Sequence, residues 1–275
     1  MNREPRSSPL DHSRALAGLR ACLRGLGKVA VAVSGGVDSM TLAVVAGRTL
    51  GADTRMYHAV SPAVPPEATR RVRGYAEREG WTLEVMDAGE FGDARYMANP
   101  ANRCYFCKSN LYGTMAARAE GTLVSGTNVD DLGDYRPGLV AAGENAVRHP
   151  YVEAGLRKSD VRAVARSLGL DDLAELPAAP CLSSRVETGI AIDAGDLTAI
   201  HRVEVRVRSA LAPQSVRCRV RREAVVVELD PAALERLDPA AGAAMADEGR
   251  AAFGARLASR PVRFEPYRMG SAFLR

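Results

Sequence analysis

Six consecutive residues, Ser34-Gly35-Gly36-Val37-Asp38-Ser39, carry the chemistry most directly legible in this chain. Glycines let a backbone approach an anion closely, and the serines at either end offer hydroxyl donors. A helix starting here would add its first N–H groups and the positive end of its dipole. Asp38 supplies a carboxylate able to hold Mg²⁺. The stretch reads as a phosphate loop, without the G-x-x-x-x-G-K-[ST] spacing of a Walker-type site. A glycine turn with a helix cap is the plainer alternative. Ser125-Gly126-Thr127-Asn128 offers similar donors, and Asp130 and Asp131 after it would bind Mg²⁺ or cap a helix.

The five cysteines are Cys22, Cys104, Cys107, Cys181 and Cys218. An odd count argues against a disulfide framework and suits a reducing compartment. Cys104 and Cys107 form a C-x-x-C in what reads as a loop before a helix, and Cys181 lies in a second loop, Pro177 to Arg185. No further C-x-x-C or C-x-x-H is present, so a four-ligand zinc ribbon is not expected. If the loops converge, three thiolates can hold a [4Fe–4S] cluster with one iron open. A thiol or persulfide carrier, or a structural or zinc role, are the alternatives. Cys22 reads as helix core. Cys218 alternates with Arg217 and Arg219 on a strand, so it should face a core while the two arginines share the other face. Such a pair could clamp a phosphate through its guanidinium forks; an arginine-rich solvated face is the alternative.

The elements that must position these groups alternate in type. A helix over 10–26 precedes the apolar run Val29 to Val33, which suits a strand buried on both faces. Helix from about Ser39 to Leu50, strand Arg55 to Val60, helix Glu67 to Glu79, strand Thr82 to Met86, helix Lys108 to Ala119 and strand Thr122 to Ser125 follow. The pattern predicts an α/β domain with a parallel sheet and helices on both faces. Residues 89–103, 126–138 and 176–189 read as long loops, where function concentrates. After Gly189 the order changes to a helix from Asp193 to Leu211, a hairpin of Val216 to Arg221 with Ala224 to Leu229, a helix from Pro239 and a strand from Pro261. Two domains are expected, 1–189 and a smaller α+β domain over 190–275.

The chain of 275 residues is 47% hydrophobic and 25% charged, enough for this much core. Its apolar runs fall short of a membrane span, and the polar start does not resemble a signal peptide, so a cytoplasmic protein without membrane partners is expected. The excess charge lies late: residues 201–275 hold 14 arginines against nine acidic side chains, while 1–200 are close to balanced. That excess is modest for a nucleic-acid surface.

The phosphate loop resembles the PP-loop of the ATP pyrophosphatases. Asp134-Tyr135-Arg136-Pro137-Gly138, Glu153-Ala154-Gly155-Leu156-Arg157-Lys158, Pro180-Cys181-Leu182-Ser183-Ser184-Arg185, Arg217-Cys218-Arg219 and Tyr267-Arg268-Met269-Gly270 follow it in order. Together these resemble the LarE family of ATP-dependent sulfur transferases, over about residues 15–275. The resemblance implies ATP held by Ser34, Gly35, Gly36, Asp38, Ser39, Gly126 and Thr127, with Mg²⁺ at Asp38 and Glu204. It implies adenylylation of pyridinium-3,5-biscarboxylic acid mononucleotide, with the substrate phosphate at Arg217, Arg219 and Arg268. AMP is then displaced by sulfur. Cys104, Cys107 and Cys181 match members that hold a [4Fe–4S] cluster, while a sacrificial Cys181 is the other style of the family. The sulfur source would be sulfide or a desulfurase, and the assembly a homotrimer or hexamer. The rivals are a tRNA thiolase of the PP-loop type, an amidating synthetase and a nucleotide sensor without catalysis.

Overall fold

Val29, Ala30, Val31 and Ala32 are all buried, because the strand they form, β1 (Val29–Ala32), has a neighbour on each side. The computed structural model describes residues 9–133, 136–257 and 259–268. They divide into two compact units. The first takes the described residues up to Val60 with Pro66–Gly89 and Cys104–Ala179; the second takes Ser61–Pro65, Glu90–Arg103 and the described residues from Pro180 onward.

In the first unit β1 pairs in parallel with β2 (Thr54–Ala59) and β4 (Thr122–Val124), and β2 pairs in parallel with β3 (Thr82–Met86). The order is β3-β2-β1-β4. Strand side chains alternate between faces, and each face has its own core. Val29 and Val31 pack with Leu19 and Leu23 of α1 (Pro9–Leu26) and with Met40 and Val44 of α2 (Val37–Leu50). Ala30 and Ala32 pack with Tyr57, Tyr112 and Met115. The protein is therefore α/β, a parallel sheet flanked by helices, as the alternating pattern predicts.

The second unit carries a separate sheet of order β5-β6-β7. The hairpin of β5 (Val216–Val220) and β6 (Val225–Leu229) is antiparallel, and β7 (Val262–Pro266) joins β6 in parallel. Helix Ala194–Leu211 packs on β5. Its start is fixed by Asp193, whose carboxylate accepts from the Asp196 N–H at 2.9 Å. Two earlier segments are stitched into this unit. Leu182 N–H donates to the Ala63 carbonyl at 2.9 Å, and the Tyr96 and Ser183 hydroxyls lie 2.7 Å apart. Asn99, buried at φ 54°, donates its side-chain amide to the Glu187 and Ile190 carbonyls at 2.9 and 2.8 Å.

Four expectations change. The C-x-x-C is not in a loop: helix Arg103–Ala116 begins five residues earlier than the apolar spacing suggests and carries both cysteines within its first five residues. Helices Pro137–Glu144 and Lys158–Ser167 interrupt a region where none was foreseen. The three long loops contain short helical turns, at Ala94–Met97, Val129–Leu132 and Leu182–Arg185. Cys22 is half-buried, with its thiol bound to Glu153, and is not a core residue. Among the described residues no helix is long and apolar enough to cross a membrane.

Candidate active site

The phosphate loop leaves the C-terminal end of β1, where open parallel sheets bind ligands, and runs into the start of α2. Gly35 adopts φ 83°, and a Cβ there would lie 2.9 Å from the Ala68 carbonyl of α3 (Pro66–Glu79). Gly36 is the N-cap, and no side chain caps the helix behind it. The two serines brace the loop across its mouth. Ser39 Oγ accepts from Ser34 N–H at 3.0 Å, lies 3.0 Å from Ser34 Oγ, and donates to the Gly36 carbonyl at 3.2 Å. The helix start is thus presented bare, with hydroxyls beside it, which is the arrangement an anion requires.

Two neutral side chains, His58 and Tyr151, and one charged one, Arg71, hold the loop from behind. Buried His58 donates from Nδ1 to the Val33 carbonyl at 2.8 Å and accepts at Nε2 from Thr69 Oγ1 at 2.9 Å. Burial lowers its pKa below the usual histidine range, so the ring is neutral at pH 7. Fully buried Tyr151 donates to the Asp38 carbonyl at 2.9 Å, and burial, then the Asp38 charge, hold its phenol well above its ordinary pKa. Arg71 Nη1 donates to the Gly35 carbonyl at 2.7 Å.

The turn after β4 meets the loop directly. A Cβ on Gly126 would lie 2.8 Å from Ser39 N and 2.9 Å from the Asp38 carbonyl carbon, so a side chain here would displace backbone. Thr127 Oγ1 lies 3.1 Å from Ser125 Oγ, which lies 2.9 Å from His149 Nδ1. Burial also lowers the His149 pKa. Asn128 and Asp131 form a capping box, so Asp131 is spent on the turn, and Asp130 accepts from the Lys158 N–H at 2.8 Å. Asp38 keeps a partly exposed carboxylate, with Lys158 Nζ at 2.5 Å and Asn128 Nδ2 at 3.4 Å. All seven ATP-site residues expected from the sequence meet within this unit. Tyr151, His149, His58 and Arg71 are not singled out by the sequence. Lys158 appears there only as the last residue of the Glu153–Lys158 motif, with no role assigned to it.

Cys104 is exposed and Cys107 half-buried, one turn apart on the first unit's helix. Cys181 is exposed and belongs to the second unit. Cys218 is fully buried, as the strand alternation predicts, and burial raises its thiol pKa well above the ordinary range. Within neither unit do three or more His, Cys, Asp or Glu side chains of the described residues gather as a metal site.

The arginines of β5 do share a face, opposite Cys218, with different surroundings. Arg219 is buried, with Nε 2.7 Å from Glu228 Oε2, and donates to the Ser184 carbonyl. Arg217 is half-buried, its guanidinium 5.9 Å from the Tyr267 ring centre; burial, then the nearby Arg185 charge, lower its pKa. Arg268 is exposed. Glu204 has both oxygens engaged by Arg185, Arg208 and the Cys218 N–H. Asp134, Tyr135, Met269 and Gly270 of the quoted motifs lie outside the described residues.

A parallel sheet whose first strand ends in this bare, glycine-lined helix start fits a PP-loop-like fold. No protein-family model matches the chain. Over 221 residues it is 30% identical to the pyridinium-3,5-bisthiocarboxylic acid mononucleotide synthase of Lactiplantibacillus plantarum, covering 78% of this chain and 79% of that one. The chain therefore belongs to the family of that synthase, the LarE family. It is also 37% identical over 225 residues to an uncharacterized protein of Synechocystis sp., covering 80% and 83% of the two chains. A 26% match over 207 residues links it to an uncharacterized protein of Methanocaldococcus jannaschii.

Proposed function

We propose that this protein is an ATP-dependent sulfur transferase that converts the carboxylates of pyridinium-3,5-biscarboxylic acid mononucleotide to thiocarboxylates, for the nickel-pincer nucleotide cofactor. The observation that carries the reading is the loop Ser34–Ser39 at a bare helix start, crossed by Gly126, in a chain akin to the synthase. Three cysteines then have a use that a nucleotide sensor would not give them.

In the first step a substrate carboxylate oxygen attacks the α-phosphorus and pyrophosphate leaves, giving an acyl adenylate. The loop's N–H groups, the Ser34 and Ser39 hydroxyls and Lys158 would hold the departing phosphates, and catalysis is largely electrostatic. Asp38 fits Mg²⁺, being a partly exposed hard-oxygen donor at the loop mouth. In the second step a reduced sulfur nucleophile attacks the carbonyl carbon, and AMP departs with the bonding electron pair. AMP is a far better leaving group than the oxide of a free carboxylate. Two rounds give the dithio product.

Cys104 and Cys107, one turn apart and accessible, fit two corners of a [4Fe–4S] cluster, with Cys181 as the third ligand. Bound there, the cluster would supply reduced sulfur at its open iron. Arg217, Arg219 and Arg268 would bind the substrate phosphate, with Arg219 held in place by Glu228. Anaerobic protein given ATP, Mg²⁺, substrate and sulfide should release pyrophosphate and AMP and form thiocarboxylate. A Cys104→Ala, Cys107→Ala double variant should release pyrophosphate without forming it; full thiolation by that variant would remove the cluster from the account.

A further inference from the structure

Cys181 offers an exposed side chain on a backbone that is firmly held. Its carbonyl accepts from Ser184 N–H at 3.0 Å, Ser184 Oγ at 2.7 Å and Arg185 Nη1 at 3.1 Å. The same Nη1 reaches the preceding carbonyl, that of Pro180, at 2.6 Å, and Ser184 Oγ at 2.9 Å. Behind it, Arg185 is 3% exposed and turns its other nitrogens to Glu204, which is 1% exposed: Nε to Oε1 at 2.9 Å and Nη2 to Oε2 at 3.3 Å. Glu204 is anchored in turn by Arg208 at 2.9 Å and by the Cys218 N–H of β5 at 3.1 Å.

A buried ion pair is a poor device for stability alone, because desolvation offsets most of its attraction. This one runs from a helix and a strand to the two successive carbonyls that frame a thiol. Only a planar fork can meet Glu204 on one edge and two carbonyls on the other. We infer that Arg185 is a positioning residue, oriented by Glu204, that sets the direction of Cys181 for sulfur delivery. The inference rests on the reading of Cys181 as a sulfur-handling residue.

The test is Arg185→Lys, which keeps the charge and removes the fork. Three quantities are read in full-length protein: pyrophosphate release, thiocarboxylate formation, and the rate at which iodoacetamide alkylates Cys181, resolved by peptide mass spectrometry. Pyrophosphate release should match the parent, while thiocarboxylate formation falls about 10–100-fold, the cost of a misplacement near 1 Å. The Cys181 alkylation rate should change with it. Wild-type sulfur transfer by Arg185→Lys, or an equal loss of pyrophosphate release, overturns the inference. If Arg185→Lys does not fold, Ser184→Ala removes one donor from the Cys181 carbonyl and should give a smaller loss of the same kind; no loss of transfer overturns it as well. Thiolation at full rate by Cys181→Ser would instead defeat the functional reading. The alkylation comparison then still decides whether Arg185 directs Cys181, an unchanged rate meaning that it does not.

Discussion

In the proposed function the phosphate loop and the Cys181 segment each present a few atoms to a reactant, and they are fixed by different means. The loop is held mostly by neutral donors and close packing, with serine hydroxyls, a neutral His58, the Tyr151 phenol and the bare face of Gly126, and Arg71 is a charged brace on the Gly35 carbonyl. The Cys181 segment is held by full charges in deep burial, Arg185 with Glu204, beside the second buried pair of Arg219 with Glu228. The difference follows from what each must present. A phosphate site works through uncommitted N–H groups, and a buried carboxylate behind them would weaken their field. A thiol carries no such field and needs only direction, which a rigid guanidinium fork supplies.

The contrast breaks most visibly at the buried pairs. Arg219→Ala leaves Glu228, 1% exposed, beside Arg221 but without its closest ion pair, and should cost about 3 kcal/mol of stability. Chemical denaturation measures that loss, and ATP affinity should be unaffected. Arg217→Ala should do the reverse, weakening the substrate with little effect on stability. Gly126→Ala forces a methyl against backbone at Ser39 and should introduce about 1–3 kcal/mol of strain, read as weaker ATP binding by calorimetry. Gly143→Ala, with open space around its Cβ, should leave ATP binding unchanged.

A smaller effect separates the two regions by pH. Burial holds the folded-state pKa of His58 below its ordinary value of 6.5. The unfolded chain therefore binds the proton first, and the stability this histidine contributes is lost as pH falls below 6.5 toward the folded value. Thermal melts should show that decline, and His58→Gln should flatten it. The smallest effect is chemical. Burial and then the Glu153 carboxylate push Cys22 up to about 11, so alkylation near pH 8 should label Cys104 and Cys181 well before Cys22.

The sequence shows the loop well because its function is local: two glycines, two serines and an aspartate between a buried strand and a helix need no distant partner to be recognised. The parallel sheet is legible for the same reason, since β1 is a contiguous apolar run and the short strands alternate with helical stretches along the chain. What escapes notice depends on distant residues. Tyr151 lies 113 positions from the carbonyl it holds, and Asn99 lies 91 from the Ile190 carbonyl. Arg185 reads as an ordinary polar residue until Glu204, 19 positions on, is placed against it. The helix carrying Cys104 and Cys107 is misplaced because Tyr105, Phe106 and the two cysteines give its first turns no clear apolar stripe.

The central claim is that this chain activates a carboxylate with ATP and exchanges its oxygen for sulfur. The most direct test is mass spectrometry of pyridinium-3,5-biscarboxylic acid mononucleotide after incubation with anaerobic protein, ATP, Mg²⁺ and sulfide, with Asp38→Asn as control. The expected result is substrate heavier by one and then two sulfur-for-oxygen exchanges, AMP and pyrophosphate released in step with each, and none of this with the variant. Unchanged substrate alongside bound, intact ATP would contradict the account and leave a nucleotide-binding protein in its place.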